Sequence, residues 1–173
     1  VYVDTDFSQT LEAGFLSVFK GQAVFSGHAP AFDVQHIKAA ALKLKHIDFD
    51  AIFVPDAAPF LLGFLTELRK LGIPQRPTFS VYSAQMPDVL VSEKQNVEGL
   101  IYSYPDVPDG DEAFGYFPKL AAHLMAEKVM ACDGKFACVA ESFAKDKSFG
   151  SDGTLEGRII LKTIRDGKFV KLK

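Results

Sequence analysis

Asp50-Ala51-Ile52-Phe53-Val54-Pro55 decides the fold. Its apolar residues do not alternate with polar ones, the pattern of a strand covered on both faces rather than one. Before it, Asp33 can cap a helix running to about His46, with Val34, Ile37, Ala41 and Leu44 on one face. After it, helical spacing runs from Pro59 to Leu71 and stops at Gly72, with Pro74 beyond. Working outward, Val1–Asp4 reads as a strand, and Phe7–Phe19 as a helix through Leu11, Phe15 and Val18 with Gly21 as its stop. Ala23-Val24-Phe25 reads as a second strand and Gly27-His28-Ala29-Pro30 as a loop. Pro77–Tyr82 is a fourth strand, a short helix lies near Met86–Val91, and Gly99–Tyr104 is a fifth strand. Buried-type strands alternating with helices predict an α/β fold, an open parallel sheet flanked by helices with right-handed crossovers.

The pattern changes after Tyr104. Asp106 to Asp111 is an acidic, Pro/Gly-rich loop, and Glu112–Ala131 is a long helix carrying Phe114, Phe117, Leu120, Leu124 and Val129, bent or started at Pro118. A short helix covers Val139–Ala144. Beyond Gly150-Ser151-Asp152-Gly153, the runs Arg158–Ile164 and Lys168–Leu172 flank Arg165-Asp166-Gly167, a C-terminal β-hairpin signal.

Composition narrows the class. The 173 residues suit one compact domain, or one with a small excursion, and 48% apolar against 24% charged residues is a globular balance rather than a disordered one. A net charge of −3 with scattered Lys and Arg excludes a nucleic-acid groove. No apolar run approaches the roughly 20 residues of a membrane helix. Val1-Tyr2-Val3-Asp4 has the look of a strand already under way, without an initiator Met or a signal peptide, so a longer parent protein is expected. Cys132 and Cys138 enclose Asp133-Gly134-Lys135; they form either a disulfide, which fits an oxidising compartment such as the periplasm, or two unpaired thiols near a helix end. Without nearby His they do not make a zinc site.

In an open parallel sheet, ligands bind beyond the carboxyl ends of the strands. Here those ends are Asp4-Thr5-Asp6-Phe7, His28-Ala29-Pro30, Pro55-Asp56-Ala57-Ala58, Tyr82-Ser83-Ala84 and Ser103-Tyr104-Pro105. None carries a dinucleotide glycine fingerprint or a P-loop, which favours a binding crevice over a nucleotide pocket, with no cofactor. Asp4 and Asp6 have the Asp-x-Asp spacing of a haloacid-dehalogenase-type phosphatase, with Ser83 as the later hydroxyl. Against it, paired acids closing strand five to hold magnesium are missing, since Asp109 and Asp111 fall in an irregular loop. The alternative role for Asp4 and Asp6 is to cap the first helix. His28, His36, His46 and His123 form no constellation with a nucleophile, so no acyl-transfer triad can be drawn. Tyr102 and Tyr104 are strand aromatics, or Tyr104 lines a cleft beside a hinge.

Five stretches, in order, carry a resemblance: Val1-Tyr2-Val3-Asp4-Thr5-Asp6-Phe7-Ser8-Gln9, Ile47-Asp48-Phe49-Asp50-Ala51-Ile52-Phe53, Leu68-Arg69-Lys70-Leu71-Gly72-Ile73, Val97-Glu98-Gly99-Leu100-Ile101 and Gly167-Lys168-Phe169-Val170-Lys171. Together they resemble the C-terminal portion of type I periplasmic binding proteins, the branched-chain amino-acid-binding group of ABC transporters. The resemblance implies two α/β lobes joined by three crossing strands and closing on a ligand. Residues 1–104 would be a ligand-binding lobe, 105–146 a helical segment crossing toward the other, absent lobe, and 147–173 the return strands and hairpin completing the first. It implies reversible capture of an amino acid or similar small polar or aromatic metabolite, without catalysis, and delivery to a membrane permease from a periplasmic or extracytoplasmic location. The implied ligand contacts are Asp6 and Phe7, then Asp56, Ala57 and Ala58, then Tyr82 and Ser83, then Tyr104. Where such proteins often place an acid for the ligand ammonium, this chain has Tyr82-Ser83-Ala84, which leaves Asp56 as the substitute counter-charge. A second reading of the same fold is a sensor or protein-interaction domain.

Overall fold

The computed structural model describes residues 1–30, 32–86, 89–90, 94–108, 113–146 and 157–172. Asp109, Asp111, Glu112, the Gly150–Gly153 stretch and part of the Met86–Val91 helix lie outside them, as does the Phe114 side chain; Val89 and Leu90 are helical. By packing, the chain divides into two units, Val1–Tyr104 with Leu161–Lys173, and Pro105–Ile160.

The first unit follows a βα rhythm. Strand β1 (Tyr2–Val3) leads to helix α1 (Asp6–Val18), β2 (His28–Ala29) to α2 (Val34–Leu44), and β3 (Ile52–Phe53) to α3 (Ala58–Lys70). Strand β4 (Thr78–Ser80) runs into a 3-10 turn at Tyr82–Ala84, and a short helix α4 (Lys94–Val97) precedes β5 (Ile101–Pro105). Pairing is parallel between β1 and β2, β3 and β4, and β4 and β5. The larger sheet has the order β3-β4-β5-β6-β7, where β6 is Ile159–Arg165 and β7 is Lys168–Lys171. Beside it, the Val1 nitrogen donates to the Phe53 carbonyl at 2.9 Å, which sets β1 against β3. The chain leaves the first unit within β5 and re-enters it within β6.

Helix α3 is the centre of the core. Phe60, Leu61, Phe64, Leu65 and Leu68 recur at helical spacing and are all buried, against a face of α2 formed by Ile37, Ala40, Ala41 and Leu44. Asp33 caps α2 as its position foretold, accepting from the His36 N–H at 2.9 Å. Val34, expected on the buried face, is 68% exposed: as the first residue of the helix it precedes the stretch that meets α3. Gly72 ends α3 at φ +69°, a left-handed backbone, while the Ile73 N–H returns to the Leu68 carbonyl at 3.1 Å.

Three local expectations are corrected. The second strand is His28–Ala29, not Ala23-Val24-Phe25. Backbone bonds from Tyr2 and Asp4 fall on the Gly27 and Ala29 carbonyls, so β1 pairs with His28–Ala29 and Val24 is left half exposed. Helix α1 ends at Val18, and Gly21 does not take the left-handed conformation of a C-terminal stop. Its N-cap is Thr5, whose hydroxyl accepts from the Ser8 N–H; Asp4 instead accepts from the Gln9 side chain, and Asp6 lies inside the first turn. The side chain one residue off the expected one caps because Thr5 has the extended backbone (φ −127°, ψ 152°) that an N-cap requires.

The second unit contains α5 (Ala113–Ala131) and α6 (Phe136–Ala144). Pro118 lies within α5 rather than at its start. Cys132 and Cys138 are disulfide-bonded across the intervening turn, with Cα atoms 5.6 Å apart. Lys128 braces the same pair of helices: its Nζ meets the Asp146 carboxylate at 2.8 Å and lies 5.0 Å from the Phe143 ring centroid. At the other end of the chain, β6 and β7 form the expected antiparallel hairpin. Its Asp166-Gly167 turn has φ of 53° and 68°, as a two-residue turn of the type I′ kind demands.

Candidate functional site

The order reverses between β1 and β3: β2 lies to one side of β1, and β4 and β5 follow β3 on the other. Crevices open at such a switch point, beyond the carboxyl ends of the strands. Two of the sequence-predicted groups emerge there, Asp6-Phe7 after β1 and Asp56-Ala57-Ala58 after β3, and the turn after β4 brings Tyr82-Ser83.

Asp56 joins these loops. It is 6% exposed, and its carboxylate accepts three hydrogen bonds from the protein. Oδ2 accepts from the Val3 N–H and, at 3.1 Å, from the Ser8 hydroxyl; Oδ1 accepts from the Ala57 N–H at 2.6 Å. The bond from Val3 falls two residues after the one from Val1 to Phe53, so a side chain takes over as acceptor where β1 and β3 run out. The Asp56 backbone carbonyl accepts from the Ser83 hydroxyl at 2.6 Å, and three residues earlier, at the end of β4, the Ser80 hydroxyl donates to the Val54 carbonyl at 2.8 Å. Buried polar groups must find partners of this kind, because an unmade bond there costs about 1–3 kcal/mol.

An aromatic pair stands beside this network. The Phe7 and Tyr82 rings meet edge to face, with centroids 6.2 Å apart and planes at 87°. Phe7 is 41% exposed and Tyr82 half-buried, so the pair presents surface to solvent. Ala57, the residue before α3, is exposed, as is Asp6 in the first turn of α1; Ala58 is buried. Ser83 is also buried.

Tyr104 is placed differently from the other candidates. It is 1% exposed, meets Tyr102 edge to face at 6.2 Å, and has the Lys162 Nζ 4.6 Å from its ring centroid. Tyr102 is likewise buried and donates its hydroxyl to Gln85 Oε1 at 2.9 Å. Burial, with the neighbouring Tyr104, pushes the Tyr102 phenol well above its ordinary value and keeps it a donor.

Ser8 was the residue that sequence reasoning passed over. It is fully buried and shares Asp56 with Ser83, yet its only sequence signal is its position three residues after the Thr5 cap. For the phosphatase reading, Ser83 donates to a backbone carbonyl and Asp4 is held by Gln9. Among the described residues no group of three His, Cys, Asp or Glu side chains is arranged to hold a metal ion.

The first unit also has two grooves at the amino ends of the strands. One, of about 380 Å³, lies between Arg69, Gln75, Asn96 and Leu100; the other, of about 460 Å³, lies between His46, Phe49, Leu71 and Arg76. They share Ile73, Pro74 and Arg76, and lie at the opposite end of the sheet from Phe7 and Tyr82. Among the described residues no helix is long and apolar enough to cross a membrane.

No protein-family model matches the sequence, and no curated protein matches it significantly. Solved structures do match. The branched-chain amino acid transporter substrate-binding protein LivJ from Streptococcus pneumoniae, in complex with isoleucine, superposes with a TM-score of 0.77 at 18% identity, covering 99% of this chain and 59% of that one. The leucine-binding protein LivK from Thermotoga maritima gives 0.74 at 15% identity, covering 99% and 58%. An extracellular ligand-binding receptor from Rhodopseudomonas palustris gives 0.72 at 14% identity, covering 99% and 61%. This chain therefore spans about 60% of the length of the structures it is similar to. Over nearly all of its own length it has the α/β, mostly parallel-sheet fold of the type I periplasmic binding proteins.

Proposed function

We propose that this chain is the ligand-binding lobe, with part of the crossing segment, of a solute-binding protein that serves an ABC importer and performs no catalysis. The observation that carries the reading is the exposed Phe7–Tyr82 pair at the strand switch point, mounted on a fully satisfied buried network. An aromatic edge of this kind takes the apolar part of a small metabolite, an amino acid or a relative of one; isoleucine in the LivJ structure is a ligand with such a part. Asp6 and Ala57, exposed on the two helix starts that flank the crevice, complete the contact surface, while Ser83 and Ala58 lie behind it. Delivery would be to a membrane permease, and the Cys132–Cys138 disulfide supports an oxidising, extracytoplasmic or periplasmic setting.

Capture by such a lobe needs only that the ligand favour the closed state of the parent protein through its differential affinity. Isothermal titration of the parent protein against the amino acids, aromatic acids and short amides should give one saturable site for a small subset. A flat response to the whole panel would overturn the reading.

A further inference from the structure

We propose that Asp56 is a positioning residue of the crevice, fixing the Phe7–Tyr82 pair through two serines rather than touching ligand itself. The proposal rests on the solute-binding reading. Ser8 follows Phe7 in the chain and Ser83 follows Tyr82, and both hydroxyls end on Asp56, one on its carboxylate and one on its carbonyl. The same carboxylate holds the Val3 and Ala57 N–H groups, so a single buried residue ties together the loops after β1, β3 and β4. Three protein donors occupy the carboxylate, and at 6% exposure little of the residue reaches solvent. A ligand ammonium would find only the remaining acceptor site on Oδ1, in a buried place, as a counter-charge. The bracing role is proposed here in place of an ammonium contact by Asp56.

The chemistry of the site makes the carboxylate necessary. Asn has the same shape but one acceptor oxygen, so in Asp56→Asn its NH2 faces either the part-buried Ala57 N–H or the buried Val3 N–H, and that backbone donor loses its acceptor. The strain falls on the segments that carry the rings.

The test has two parts. On the 173-residue chain, NMR should show nuclear Overhauser contacts between the Phe7 and Tyr82 rings. Asp56→Asn should abolish them, and Ser8→Ala or Ser83→Ala should each weaken them. If Asp56→Asn does not fold, the two serine variants decide the matter alone. On the parent protein, L-isoleucine and L-phenylalanine serve as probes. At a temperature where all variants are folded, Asp56→Asn should bind the accepted probe about tenfold more weakly, the effect of one misdirected buried bond. Phe64→Ala, destabilising but remote in the α2–α3 core, should leave that affinity unchanged. Ring contacts that persist in Asp56→Asn, or affinity equal to wild type, would overturn the proposal. If wild type binds neither probe, the ligand reading is weakened while the ring contacts still decide the brace.

Discussion

The two units use similar helices in opposite ways. In the first, α3 buries Phe60, Leu61, Phe64, Leu65 and Leu68 between its neighbours. In the second, α6 buries none of its side chains, and Met125, Met130 and Phe136 are 51%, 72% and 85% exposed. What differs is cover. A helix beside a parallel sheet and a second helix gains stability from apolar area removed from water, at roughly 25 cal/mol per Å². The α5–α6 pair gains less that way and depends on point attachments, the disulfide and the Lys128–Asp146 ion pair, whose side chains are 18% and 20% exposed. The candidate crevice is built on the better-packed unit, where its side chains can be held in one arrangement.

The comparison predicts where each kind of damage should be felt. The largest effect is expected from Phe64→Ala, which opens a cavity in the α2–α3 core and should lower unfolding stability by about 3–5 kcal/mol in a denaturant titration. A loss below about 1 kcal/mol would mean that the first unit is not held by this core. Next, replacing both Cys132 and Cys138 by Ala removes a cross-link between residues six apart, which chain entropy values at about 2 kcal/mol. Hydrogen exchange should then quicken in α5 and α6 and stay unchanged in α3; equal acceleration in α3 would break the contrast. Thr5→Ala removes the α1 N-cap and should cost about 1 kcal/mol, seen as faster exchange at the start of α1. A pH-dependent effect comes from Tyr102. Its phenol is raised in the folded state, so its contribution to stability is complete below its ordinary value of 10.0 and is lost as pH climbs above it. Alkaline unfolding should therefore begin at higher pH in Tyr102→Phe than in wild type, and identical profiles would show that Tyr102 is not part of this response.

Much of the first unit could be read directly from residues. Ile52-Phe53-Val54 announced a strand covered on both faces, Asp33 announced its cap, and Gly72 and Asp166-Gly167 announced their turns, because each depends on the residue's own backbone preferences or on neighbours a few positions away. The second strand escaped because Val24 and Ala29 are both reasonable strand residues. Only the carbonyls offered to Tyr2 and Asp4 settle which of them pairs. Thr5 displaced Asp4 and Asp6 as the cap for a similar reason: all three side chains can cap, and the backbone angle decides which one does.

The candidate site divides along the same line. That Phe7, Asp56 and Tyr82 follow the carboxyl ends of strands was legible from the β-α order alone. Their roles were not. An Asp after a buried strand reads equally well as a ligand's counter-charge or as a brace, and the difference lies in donors up to 53 positions away in sequence. By itself, the order of residues determined the α/β class, most element boundaries and which candidate groups follow the carboxyl ends of the strands. Tertiary structure alone decided that Asp56 is spent on Val3, Ser8 and Ala57 while Phe7 and Tyr82 face outward, because hydrogen-bond satisfaction in a buried place is a property of the whole packed neighbourhood.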